Sequence, residues 1–173
     1  MSGAADTAGV AIRPPVLYLG TLLFGGLIDL VFPAPLPIFA GRLPTAGLAL
    51  ALGLALLALC FRRFKAAGTN VPTWMPTTAL VISGPYRFSR NPIYLALTLA
   101  YLGLALGYGS WWPVVLLAPV LIVMRFGVIG REERYLEAKF GDAYRAYCES
   151  VRRWILSRPS CSRRCAACSR CAM

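Results

Sequence analysis

Residues 91–124 read NPIYLALTLAYLGLALGYGSWWPVVLLAPVLIVM, a stretch of 34 residues without a charged side chain between Arg90 and Arg125. One membrane-spanning helix needs about 20 apolar residues, so this stretch is long enough for two short helices. Residues 107–113, with the sequence GYGSWWP, interrupt the stretch and predict a turn between those helices. We therefore expect a helical hairpin that returns the chain to the membrane face from which it started.

The composition of the whole chain is typical of a membrane protein. Of its 173 residues, 58% are hydrophobic and 14% are charged, which leaves too little polar surface to cover a soluble domain. Two further apolar stretches precede the hairpin: residues 16–32, where Asp29 is the one charged residue, and residues 43–61, which have none. The predicted fold is an all-α integral membrane protein with about four transmembrane helices.

The distribution of basic residues predicts the orientation in the membrane. Residues 62–90 contain five basic residues and no acidic ones, whereas the preceding connection has only Arg42 and the hairpin turn has none. By the positive-inside rule, both termini and residues 62–90 are expected in the cytosol, on a bacterial inner membrane. The net charge of +11 has the same explanation, together with attraction to anionic lipid headgroups. No nucleic-acid-binding motif accompanies the charge, so we expect no nucleic-acid partner.

These patterns divide the chain into three segments. Residues 1–13 precede the membrane domain, residues 14–156 form it, and residues 157–173 are a basic, cysteine-rich tail. Within the domain, the Pro- and Thr-rich residues 66–83 predict an ordered loop at the membrane interface, with Trp74 as a headgroup anchor.

An apolar stripe at helical spacing follows the hairpin. Its members are Leu136, Phe140, Tyr144, Tyr147, Val151 and Trp154. The spacing predicts amphipathic helices at the cytosolic face over residues 131–155, divided into two at Gly141 with Asp142 as the new N-cap. These helices could lie on the membrane or fold back over a site, and packing alone would explain most of their aromatic residues.

The tail carries four closely spaced cysteines. They are Cys161, Cys165, Cys168 and Cys171. Four thiolates could ligate zinc or an iron–sulfur cluster, but the spacers are Ser, Arg and Ala, and structural zinc sites usually have paired knuckles separated by a longer loop. We expect a disordered tail without a metal. The alternative function is a non-catalytic membrane scaffold or a metal-handling protein that uses this tail. A membrane reductase is a third possibility, but the chain has no glycine-rich phosphate-binding motif.

Three motifs lie at the ends of the hairpin: residues 84–95 (GPYRFSRNPIYL), residues 132–136 (EERYL) and residues 140–147 (FGDAYRAY). Together they resemble the isoprenylcysteine carboxyl methyltransferase and phospholipid methyltransferase superfamily, over about residues 75–156. The resemblance implies that the first motif and the Glu-Glu pair bind S-adenosylmethionine at the cytosolic face, and that the methyl acceptor enters from the bilayer. Asn91 replaces a histidine that is typical of eukaryotic members, and Ala96 replaces a usual glycine.

The candidate cofactor-binding residues are Tyr86, Arg90, Asn91, Pro92, Tyr94, Glu132 and Glu133, of which Arg90, Tyr94 and Glu133 are also the candidate catalytic residues. Glu133, or its neighbour Glu132, is suited to hold the ammonium group of the cofactor by a charge-assisted hydrogen bond. The planar guanidinium of Arg90 is suited to the carboxylate. Tyr86 and Tyr94 offer ring faces or hydroxyls to a cation.

The predicted function is S-adenosylmethionine-dependent methyl transfer to a lipophilic small molecule in the membrane, with membrane lipids as further partners. The reacting group of the acceptor stays open between a carboxylate, an amine, a thiol and a phenol. Methyl transfer is a direct displacement that needs an aligned nucleophile and a dry site more than an acid–base pair, so a chain without histidine can perform it. Asp29 is either part of a site or a helix cap.

Overall fold

A computed structural model describes residues 13–37, 40–69 and 78–154 of the protein. Six α-helices form within these ranges: α1 (Pro14–Val31), α2 (Arg42–Ala66), α3 (Pro92–Tyr108), α4 (Trp111–Val123), α5 (Gly130–Phe140) and α6 (Asp142–Ser150). The one strand-like feature of the described residues is an isolated bridge between Pro35 and Ser110. Trp74 and the four cysteines of the tail lie outside the described residues.

Three helices are long and apolar enough to cross a membrane. They are α1 with 18 residues, α2 with 25, and a continuous helix of 30 residues that begins with α4 and ends with α5. The fourth apolar helix, α3, has 17 residues, which is close to the shortest length that spans a bilayer. The prediction of an all-α integral membrane protein is confirmed.

The hairpin forms between α3 and α4, with a connection of only two residues. Gly109 ends α3 in the left-handed conformation, with φ of +87°, which glycine adopts without steric cost. Ser110 then caps α4, because its side chain accepts a hydrogen bond from the backbone N–H of Trp112 at 3.2 Å. The turn that residues 107–113 predict is therefore confirmed, and it is shorter than the interrupting sequence.

Asp29 stabilises this turn from the neighbouring helix. Its Oδ1 accepts hydrogen bonds from the hydroxyl of Ser110 at 2.6 Å and from the backbone N–H of Ala34 at 3.0 Å. The indole N–H of Trp112 donates to the carbonyl of Phe32 at 2.6 Å in the same cluster. Asp29 thus caps the end of α1 and ties it to the hairpin, at the membrane face opposite to the N-terminal end of α1.

Small residues let α2 and α3 approach closely. Gly53 of α2 faces the backbone of Ala96 and Ala100, and Gly103 of α3 faces the backbone of Leu50. A Cβ atom on Gly53 would lie 2.6 Å from the nitrogen of Ala100, and one on Gly103 would lie 2.6 Å from the nitrogen of Leu50. Small residues at helix contacts are the usual means of packing within a bilayer, where dispersion rather than water exclusion holds helices together. Ala96 fits at this contact because Gly53 lies opposite.

Helix α4 does not end at the membrane face near Arg125. It continues through a wide helical turn, Met124–Ile129, into the charged helix α5. Met124, Val128 and Ile129 are almost fully buried, so packing against the bundle stabilises this turn. Such a turn contains about one residue more than an α-helical turn. The side chains of α5 are therefore rotated by about a third of a turn relative to an uninterrupted α-helix, which changes the direction in which they point.

The contact between α2 and α3 gives a first prediction. We expect Gly53→Ala to lower the stability of the detergent-solubilised protein by about 1–3 kcal/mol, because the new Cβ atom overlaps the backbone of α3. Gly47→Ala in the same helix is the control, since its Cβ atom would meet nothing within 4 Å. Thermal unfolding would measure both changes, and equal stability of the two variants would contradict the close contact.

Candidate active site

A cavity of about 340 Å³ lies at the membrane face where α3 begins and the hairpin returns. Its apolar wall includes Pro14, Pro15, Leu57, Phe61, Ile93 and Leu97. Its polar wall contains Tyr86, Arg90, Asn91, Tyr94, Glu132, Glu133, Tyr144 and Tyr147. The structure therefore brings all the candidate residues except Pro92 to one cavity. Pro92 is almost fully buried at the first turn of α3, where a proline is tolerated because its missing N–H has no helical partner.

A hydrogen bond between Tyr94 and Glu132 joins the two ends of the hairpin. The phenol of Tyr94, on the first turn of α3, donates to Oε2 of Glu132, on the first turn of α5, at 2.7 Å. No cationic side chain among the described residues lies within ion-pair distance of this carboxyl group. Burial raises the pKa of Glu132 to about 7, although the hydrogen bond from Tyr94 lowers it; the charge of Glu133 adds to the increase. Helix α5 follows the charge-free part of the helix that begins with α4, and Glu132 lines the cavity.

The neighbouring Glu133 has a different electrostatic environment. Both of its oxygens accept from the guanidinium of Arg153: Nε lies 2.8 Å from Oε1, and Nη2 contacts Oε2. Nη1 of Arg90 lies 3.5 Å from Oε1 of Glu133 and 2.7 Å from Sγ of Cys148. The hydrogen bonds with Glu133 raise the pKa of Arg153. One carboxylate thus lies between two guanidinium groups, with Arg90 buried.

The C-terminal segment, residues 151–154, fixes the loop that carries Arg90. The backbone N–H of Arg90 donates to the carbonyl of Arg152 at 2.9 Å. The carbonyl of Arg153 accepts from the hydroxyl of Ser89 at 3.1 Å and from the side-chain amide of Asn91 at 3.3 Å. Asn91 is therefore a donor that attaches the loop to the C-terminal segment. An imidazole N–H can make the same kind of bond, so asparagine at this position keeps a structural contact.

The amphipathic helices fold back over the cavity. Helix α5 ends at Phe140 and α6 begins at Asp142, so the division at Gly141 is confirmed, although Gly141 itself rather than Asp142 is the N-cap. The phenol of Tyr147 donates to the carbonyl of Tyr86 at 2.7 Å, which attaches α6 to the helical turn Gly84–Arg87. Burial raises the pKa of Tyr86, and also that of Tyr147.

The prediction that the apolar stripe is helical as far as residue 155 is wrong. Helix α6 ends at Ser150, and Val151 is already extended, so the helical periodicity does not continue to residue 155. Val151 and Trp154 are nevertheless packed against apolar clusters of the protein. The hydrogen bonds of the C-terminal segment to the Arg90 loop explain the difference, because they require an extended backbone there.

Arg153 is the functional candidate that the sequence analysis missed. The sequence feature that could have identified it is the basic pair Arg152–Arg153 after an amphipathic helix. A basic pair at that position also fits an anchor for lipid headgroups. Arg87 of the first motif is exposed and does not line the cavity. Within the described residues no group of three or more His, Cys, Asp or Glu side chains could hold a metal ion, and the tail cysteines lie outside those residues.

Comparison with known proteins identifies the family. The family model described as phospholipid methyltransferase matches residues 42–143, which is more than half of the chain. The chain belongs to the phospholipid methyltransferase family. It is also 44% identical over 66 residues to an uncharacterized protein of Haemophilus influenzae, an alignment that covers 36% of this chain and 100% of that protein. No solved structure matches the chain significantly.

Membership of the phospholipid methyltransferase family explains why polar groups gather at the end of an apolar bundle. The family implies methyl transfer to a membrane-associated substrate. Its matched region contains both motifs that the hairpin brings together, and ends before the C-terminal segment that contacts them.

The contact between α6 and the first motif gives a prediction on stability. Tyr147→Phe removes the donor to the buried carbonyl of Tyr86, so we expect a loss of about 1–3 kcal/mol. Tyr135→Phe is the control, because the hydrogen bond between its hydroxyl and Lys139 is exposed. Thermal unfolding in detergent would compare the two variants, and a Tyr147→Phe protein as stable as Tyr135→Phe would argue against the contact.

Proposed function

We propose that this protein transfers a methyl group from S-adenosylmethionine to a lipophilic acceptor within the membrane. The observation that carries the proposal is the charge pattern of the cavity. Glu132 has a carboxyl group with no cationic partner among the described residues, while the side chains of Arg90, Glu133 and Arg153 nearby have formal charges that add to +1. S-adenosylmethionine has cationic groups and a carboxylate, which match these two regions.

The chemistry of the cavity supports this assignment of the ligand. A volume of about 340 Å³ is within the usual range of small-molecule sites. Arg90 is suited to the carboxylate of the cofactor, and Glu132 to its cationic groups, because each ligand charge would then meet the opposite charge. Tyr86 and Tyr94 contribute aromatic and hydroxyl groups to the same wall. Glu133 is then mainly a partner of the two arginines, and Asn91 and Pro92 hold the loop in place.

The bound cofactor would supply an activated methyl group attached to a sulfonium. The residues of this chain supply binding, orientation and the exclusion of water. The apolar wall formed by α1, α2 and α3 is suited to an acyl or prenyl chain, and it would leave the reacting atom of the acceptor poorly hydrated. Desolvation of the nucleophile in this way lowers the barrier of a displacement without an acid–base pair.

We also propose that the cavity opens at the cytosolic face of a bacterial inner membrane, with both termini cytosolic. The helix ends around the cavity carry most of the basic residues, whereas the opposite face has Arg42. Reporter fusions to the C-terminus would test this orientation, and activity of a periplasmic reporter there would reject it.

Cofactor binding is the most direct test. We expect S-adenosylmethionine to bind the detergent-purified protein by calorimetry, and Arg90→Ala or Glu132→Gln to weaken the affinity about 10- to 100-fold, because each removes a charge-assisted contact. Glu137→Gln is the matched control on the same helix, since Glu137 forms an exposed ion pair with Arg145. A folded wild-type protein that binds no S-adenosylmethionine would reject the proposed function.

The pH dependence of binding tests the role of Glu132. The ionised carboxylate attracts a cation and the protonated acid does not, so affinity should rise with pH through about 7 and level off above it. The Glu132→Gln variant should lose this rise, because glutamine does not titrate. The measurement is the dissociation constant from pH 5.5 to 8.5, and a rise of equal size in the variant would assign the titration to another group.

A further inference from the structure

Glu133 is bound much more closely by Arg153 than by Arg90. Arg153 contacts both carboxylate oxygens, in the paired geometry that gives guanidinium–carboxylate contacts their strength. Arg90 reaches one oxygen, at 3.5 Å. Arg153 lies beyond residue 143, where the match to the family model ends.

The backbone of the C-terminal segment places Arg153 and Arg90 relative to each other. The carbonyl of Arg153 accepts from Ser89 and Asn91, and the carbonyl of Arg152 accepts from the N–H of Arg90. The residues on either side of Arg90 are thus attached to the residue that neutralises Glu133. Arg153 is half-buried and Arg90 is buried, so the interactions in this cluster are screened less than those at the surface.

Removal of Arg153 would change the charge that a ligand meets. Arg90, Glu133 and Arg153 together carry a formal charge of +1, whereas Arg90 and Glu133 alone carry zero. Without Arg153, Glu133 would have Arg90 as its cationic partner in the cluster and would compete with any anion for that guanidinium. Glu133 is half-buried, and it would pair with the nearest cation because leaving a partly desolvated charge unpaired is costly.

We propose that Arg153 is a positioning residue that keeps Glu133 paired, so that Arg90 can bind the carboxylate of the cofactor. This inference rests on the proposed function, and it specifies which end of the cofactor lies at the cluster of Arg90, Glu133 and Arg153. The cationic groups of the cofactor then face Glu132.

The test compares two ligands that differ only in the carboxylate, S-adenosylmethionine and decarboxylated S-adenosylmethionine. We expect the wild-type protein to prefer S-adenosylmethionine by about 10- to 100-fold, and Arg153→Ala to reduce this ratio of dissociation constants to near 1. A purely structural loss would weaken both ligands equally and keep the ratio. Arg153→Lys should restore only part of the preference, because one ammonium group does not reproduce the paired contact with Glu133.

A double variant tests whether Arg153 acts through Glu133. In a Glu133→Gln background no carboxylate competes for Arg90, so adding Arg153→Ala should leave the ligand ratio unchanged. Arg145→Ala is the control for loss of an arginine, since Arg145 pairs with Glu137 and Asp142 on the surface. If Arg153→Ala does not fold, Arg153→Lys and the double variant Glu133→Gln/Arg153→Gln provide the same comparison.

The outcomes separate this inference from the function on which it rests. An unchanged ratio in the Arg153 variants, with S-adenosylmethionine still bound, would overturn the inference and leave the proposed function intact. Additive effects of Glu133→Gln and Arg153→Ala on the ratio would also overturn it. Failure of the folded wild-type protein to bind either ligand would reject the proposed function and the inference together.

Discussion

The hydrogen bond from Tyr94 to Glu132 depends on one constraint, the return of an uncharged hairpin to the membrane face from which it began. Residues 91–124 contain no charge, and Gly109 and Ser110 reverse the chain at their middle. The polar motif before the hairpin and the Glu-Glu pair after it must therefore meet at one face. The close packing of α2 on α3 and the cap from Asp29 hold the hairpin in place, so the geometry of the cavity follows from contacts made at a distance from it.

Two adjacent glutamates acquire different properties in this site. Glu133 lies between two guanidinium groups, whereas the hydrogen-bond partner of Glu132 within the described part of the chain is the phenol of Tyr94. They differ because neighbouring residues on a helix point about 100° apart, so each meets a different set of elements. A site with one neutralised and one unneutralised carboxyl group can distinguish the two ends of a dipolar ligand. This asymmetry links the fold to the proposed binding of S-adenosylmethionine.

Membership of the phospholipid methyltransferase family agrees with both the fold and the cavity. The fold class, the hairpin and the convergence of Arg90, Tyr94, Glu132 and Glu133 could be predicted, because charge-free length and short motifs at its ends are local properties of the chain. The wide turn at Met124–Ile129 and the extended C-terminal segment could not. The turn depends on which side chains are buried against the bundle, and the extended segment depends on its hydrogen bonds to the Arg90 loop. Neither leaves a periodic pattern in the sequence.

The sequence by itself determined that the chain is an all-α membrane protein, where its hairpin turns, and which polar residues lie at the cavity. It did so because the bilayer excludes charges and requires every backbone group to be bonded within a helix. Only the tertiary structure decided how those residues are paired. Arg153 becomes the partner of Glu133 because the C-terminal segment bonds to Ser89 and Asn91, contacts across more than sixty residues of chain. Such pairings depend on distance in space, which the order of residues does not specify.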